Sequence, residues 1–138
     1  MTVEKVLRLT ASTEPASLED VHALLERLWL EHGEVVPEDR MRFEIAVTEI
    51  AGNIIRHATD GDPIDFELEV VARPGHLQAE FRDGGKRVDV QLDGAQLPSQ
   101  LAESGRGLAL ALAAVHELTY RREDSTNHWR IVRLCTNR

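Results

Sequence analysis

The stretch MRFEIAVTEIAGNIIRHA (41–58) decides how this chain is read. Phe43, Val47, Ile50 and Ile54 recur at the spacing of one apolar helix face. On a helical wheel with Glu49 at zero, Asn53 falls near 40° and His57 near 80°, at ~100° per residue. The apolar arc runs from roughly 60° to 240° on the same wheel. Glu49, Asn53 and His57 therefore form a polar stripe at the edge of the buried face. A carboxylate, an amide and an imidazole there suit the wall of a site. Taken alone, the three residues fit a solvated helix edge better.

Working outward, Pro37 fits the first turn of this helix, with Glu38 and Asp39 favourable beside it. The helix is expected to run to about His57 or Ala58, and TDGDP (59–63) is turn chemistry. Upstream, residues 3–11 alternate as a strand. Ser17, with Asp20 three residues on, resembles an N-cap for a helix through Leu18, Val21, Leu25, Leu28 and Trp29, stopped near Gly33. Downstream, 64–72 and 77–83 read as a strand pair joined by RPGH. A loop of about twenty residues without a sustained period follows, long enough to suggest a functional lid at about 86–104. The alternation of Val88, Val90 and Leu92 allows a fixed strand-like element instead. Residues 108–118 read as an apolar helix, and TYRR and HWRIVRL as final strands. The order β-α-α-β-β-α-β-β predicts a two-layer α/β sandwich in one domain, 1–138, with helices on one face of a mixed, mainly antiparallel sheet.

Composition narrows the function. The chain has 138 residues, 42% of them hydrophobic, and a net charge of −8. A globular core follows, and nucleic acid is disfavoured as a main ligand. No stretch has the apolar length of a membrane span or a signal peptide, so a cytoplasmic location is the expectation. The single cysteine, Cys135, excludes a disulfide framework and reads as a packing residue.

Two later motifs add chemistry. Asp83 ends a strand and precedes Gly84 and Gly85. Its carboxylate can accept a hydrogen bond from the exocyclic amino group of adenine, which guanine lacks at that position, and the glycines allow close approach. A plain Asp–Gly turn has the same sequence. Gly105 and Gly107 flank Arg106 ahead of the apolar helix that begins at Leu108. A helix start offers free N–H groups to phosphate, and Arg106 adds a forked cation. Neither a P-loop nor a dinucleotide fingerprint is present.

The ordered set of Glu49, Asn53 and His57, then Asp83 and Gly85, then Gly105, Gly107 and Leu108 resembles the GHKL ATPase superfamily. Within it, the chain is similar to the anti-sigma-factor serine/threonine kinases. The resemblance implies a Bergerat-type ATP fold with ATP and Mg²⁺ as cofactors. It implies Glu49 as general base and Asn53 as the metal-binding amide. His57, Asp83, Gly85, Gly105, Arg106, Gly107 and Leu108 would line the nucleotide. A sigma factor, a STAS-type antagonist as phosphorylation substrate, and a homodimer are the implied partners. A non-catalytic ATP-binding regulator that sequesters a sigma factor or other protein is the alternative. A general ATPase module would normally need further domains. The chain departs from the family pattern at Arg87 and Ala109, and at Thr126, Asn127 and His128, where a Gly-Thr often borders the nucleotide.

Overall fold

The computed structural model describes residues 5–88 and 102–135, and the backbone alone over 102–106. Its central helix is the one the sequence announces. Pro37 occupies the first turn, and α2 runs Pro37–His57 with Ala58 as its C-cap. It buries Phe43, Ala46, Val47, Ile50, Ala51 and Ile54 along one face. Before it, α1 spans Ser17–Glu31, closed by His32 just ahead of Gly33. Ser17 does not cap this helix from outside. It is the first helical residue and is buried, and Ala16 holds the cap position without a side-chain bond. The turn before it already satisfies the entering amides, since the N–H groups of Ser17, Leu18 and Glu19 donate to the carbonyls of Glu14, Pro15 and Ala16.

The strands are β1 (Val6–Ser12), β2 (Asp65–Arg73), β3 (His76–Asp83), β4 (Glu117–Glu123) and β5 (Thr126–Leu134), in the spatial order β1-β2-β3-β5-β4. The two-layer sandwich with a mainly antiparallel sheet is as expected from the sequence, and every pairing among the described residues is antiparallel, without the parallel pair of a mixed sheet. The physical reason lies in the crossover. Helix α3 (Ala102–Ala114) carries the chain from β3 to a β4 of the same direction, and β5 then inserts between them. The two hairpins turn as their residues dictate. Gly75 takes φ 74° between β2 and β3, and Asp124 and Ser125 take φ 53° and 65° between β4 and β5.

Period-2 alternation sorts the sheet into two faces. Phe66, Leu68, Val70, Leu77, Ala79, Phe81, Trp129 and Ile131 form the inner face with the helices. The outer face is laced with ion pairs, among them Arg8–Glu69, Arg82–Glu67 and Arg130–Glu117. Across the inner face the strand registers make rows. The third and fourth residues of one row are apolar Phe81 and Trp129; the next row, at the sheet's end, replaces them with Asp83 and Asn127 and continues to Arg122. There the fold stops being purely apolar and a site becomes possible.

Candidate nucleotide site

Helix geometry alone places Glu49, Asn53 and His57 one turn apart on α2. Glu49 and Asn53 are half-buried and His57 is exposed, so the stripe does run along the edge of the core face. The Glu49 carboxylate lies against α3. A Cβ placed on Gly107 would stand 2.0 Å from its Oε1. The Asn53 amide oxygen accepts a 2.9 Å bond from Nη2 of Arg56. That guanidinium folds back over Gly52, 3.0 Å from where a Cβ would sit. The His57 imidazole is held below its ordinary pKa by partial desolvation, then by the charges of Arg56 and Lys86.

The Asp–Gly turn docks onto the end of the same helix. Asp83 is almost fully buried, and its Oδ1 accepts from the Gly85 N–H at 2.8 Å and from Asn127 Nδ2 at 3.0 Å. A bond from a carboxylate to the N–H two residues on is the usual Asx turn. Gly85 is required by what it touches: a Cβ there would lie 2.4 Å from the carbonyl oxygen of Ala58 and 2.7 Å from its Cβ. That carbonyl also accepts the Lys86 N–H at 2.8 Å. The Lys86 ammonium reaches Asp60 at 2.8 Å.

Motif reading marks Asn127 only as a departure from the family pattern and gives it no role. It is 1% exposed. Its amide nitrogen donates to Asp83 Oδ1 and to the Lys86 carbonyl at 2.8 Å. Its amide oxygen accepts from the Tyr120 hydroxyl and from Arg122 Nη1. The available signal was alternation: a strand with Trp129 and Ile131 facing inward also faces Asn127 inward, where a polar side chain needs partners.

The glycine motif requires a correction. The helix expected over 108–118 is α3, Ala102–Ala114, and Glu117 already begins β4. Gly105 and Gly107 therefore lie inside the helix rather than at its start. Ala102 and Glu103 are good helix formers, and an acidic residue favours the first turn, so helix begins ahead of the glycines. Leu108 is buried in the core. The side chain of Arg106, and residues 89–101 of the expected lid, lie outside the described residues.

Among the described residues no group of three or more His, Cys, Asp or Glu is placed to hold a metal ion. A magnesium ion brought by a nucleotide would take most of its oxygens from phosphates and water, and the Asn53 oxygen could join them only with the Arg56 guanidinium moved off it. Cys135 takes no part. Its thiol pKa is pushed up to about 11, first by burial and then by the nearby Asp39 carboxylate, so it stays protonated at neutral pH.

An antiparallel sheet under three helices, with these motifs gathered around the C-terminal half of α2, defines an ATPase-type domain. The chain belongs to the histidine kinase-like ATPase domain family, which it matches over residues 11–134. In fold it is similar to the crystal structure of the RsbU and RsbW domains of Rv1364c from Mycobacterium tuberculosis, with TM-score 0.67 and 20% identity, covering 95% of this chain and 32% of that one. It is also similar to the Acinetobacter baumannii histidine kinase AdeS, with TM-score 0.50 and 19% identity, covering 94% of this chain and 68% of that one. This chain thus spans about a third of the length of the first. No curated protein matches it. No helix among the described residues is long and apolar enough to cross a membrane.

Proposed function

We propose that this chain is a single Mg-ATP-binding domain that phosphorylates a serine or threonine on a protein partner, in a partner-switching system controlling a sigma factor. One observation carries the reading. Three motifs far apart in sequence meet around the end of α2, with the Glu49 carboxylate against Gly107 and Ala58 against Gly85 and Lys86. Such convergence is what a nucleotide bridging the three segments would require.

Each residue then has a part. Asp83 accepts from the adenine amino group. Asn53 offers its amide oxygen to Mg²⁺, which when bound offsets phosphate charge. Glu49 accepts the proton of the incoming hydroxyl as that oxygen bonds to the γ-phosphorus. The bond from that phosphorus to the β–γ bridging oxygen breaks, and ADP departs. Gly105 and Gly107, without side chains, leave room for the phosphates against α3, and the Arg106 cation serves them, with His57 beside them; the Gly107 and Leu108 amides are engaged within the helix. A STAS-type antagonist is the proposed phosphate acceptor, a sigma factor the second partner, and a homodimer the working form.

A second reading, a regulator that sequesters its partner without phosphoryl transfer, is favoured by two features. Arg56 already occupies the Asn53 oxygen, and Asn127 stands where the family often has Gly-Thr. Incubation with γ-labelled ATP and the candidate partner separates them. Label on the partner supports the kinase. A stable complex that never acquires label supports sequestration, and failure to bind ATP in calorimetry overturns both.

A further inference from the structure

The polar row closing the inner face, Asp83–Asn127–Arg122, spans three adjacent strands with each residue directly opposite the next. A lone buried amide could be mere packing, but this one is asymmetric toward Asp83. Both described bonds to that carboxylate, from Asn127 and from the Gly85 N–H, end on Oδ1. A donor reaching the other oxygen of this carboxylate, which is only 5% exposed, would make a charge-assisted bond in a largely water-excluded setting. Asn127 itself cannot rotate freely. Tyr120 and Arg122 hold its oxygen while Asp83 and the Lys86 carbonyl hold its nitrogen. Tyr120 in turn accepts the Val88 N–H at 3.0 Å, and Arg122 Nη1 donates to the Gly85 carbonyl at 2.9 Å.

We propose that Asn127 is a positioning residue for base selection: it fixes Asp83 by Oδ1 and reserves Oδ2 for the exocyclic amino group of an adenine nucleotide. This rests on the reading that Asp83 meets the base. An amino group at that point completes the carboxylate. The oxo group of guanine would set acceptor against acceptor. A carboxylate free to turn could present either oxygen, or admit a bridging water, and would discriminate less.

The test is calorimetric titration of the full chain with Mg-ATP and Mg-GTP, for the wild type, Asn127→Ala and Asn127→Thr. The wild type should prefer ATP. Asn127→Ala should lose roughly tenfold or more of that preference, the scale of one hydrogen bond to a charged group. Asn127→Thr keeps one hydroxyl donor for Asp83 and should recover part of it. A purely structural amide would change melting temperature and leave the ATP-to-GTP ratio at the wild-type value, which overturns the proposal. Should Asn127→Ala fail to fold, Asn127→Leu carries the same test, because it keeps the volume and removes the donor. A wild-type chain that binds ATP and GTP equally removes Asp83 from base reading and this inference with it. A discriminating wild type beside an equally discriminating folded variant overturns this inference alone.

Discussion

At position 85 a hydrogen in place of a side chain lets the Asp–Gly turn close onto helix α2. The obstruction to anything larger is the backbone and Cβ of Ala58, which cannot swing aside as a long side chain can. Gly85→Ala should therefore destabilise the chain by about 1–3 kcal/mol, the usual cost of overpacking. Gly84→Ala, which meets nothing within 4 Å, should stay within about 0.5 kcal/mol of wild type. Urea unfolding of the pair checks this, and equal midpoints would mean that Ala58 yields. The sequence marked Gly85 as a place of close approach, which it is, although the approaching partner is the chain itself. Glu49→Gln preserves shape while removing basicity. Phosphoryl transfer should fall by roughly 10²–10⁴ while ATP affinity changes little. Wild-type transfer rates in that variant would place the base elsewhere.

Among the elements, α3 shows best where sequence signals compete. Glycines read as a boundary, yet Gly105 and Gly107 sit within the helix, each costing about 1 kcal/mol relative to alanine. Gly107→Ala should restore some of that helix stability. Its new methyl group would displace the Glu49 carboxylate, a movable side-chain end. The expected outcome is unchanged or higher thermal stability with phosphoryl transfer reduced by ~10²-fold, the scale of a misplaced catalytic group. Loss of neither would make the contact incidental. Helix α2, by contrast, was legible nearly to the residue, because proline, acidic first turn and apolar period agree. What local pattern could not show is how α2 is anchored. Asp39, read as a favourable first-turn charge, is buried against Arg133 at 2.9–3.0 Å. Arg133 also donates to the last carbonyl of α3, at Ala114. The partners are 94 residues apart, and strand register brings them together. Asp39→Ala strands the guanidinium and should cost about 3–5 kcal/mol. Chemical denaturation measures it, and a loss below about 1 kcal/mol would mean water replaces the carboxylate.

For the whole molecule, the sequence showed two layers and the order of elements, but not that β5 enters between β3 and β4. Adjacency in a sheet is set by which edges remain open after the crossover, and local alternation carries no record of it. The same limit hid the Asp83–Asn127–Arg122 row, of which the motif reading singled out Asp83 alone as a site residue. Charge distribution now permits a prediction for the fold as a whole. His57 has a folded pKa below its ordinary 6.5, so the unfolded chain takes up a proton first. Its contribution to stability is therefore full above pH 6.5 and is lost as pH falls through the lower folded value. Glu69 is held below its ordinary 4.5, first by its bond from Arg8 and also by the Arg82 charge. Its contribution is present above pH 4.5 and disappears as pH falls through its own lower value. Melting temperature should then decline in two stages on acidification. His57→Gln should flatten the stage below 6.5, and Arg8→Gln should weaken the one below 4.5. Because the Arg8–Glu69 pair lies on the open face of the sheet, 0.5 M salt should shrink the second stage by screening. A second stage indifferent to both salt and Arg8→Gln would mean that the Arg8–Glu69 pair does not set it.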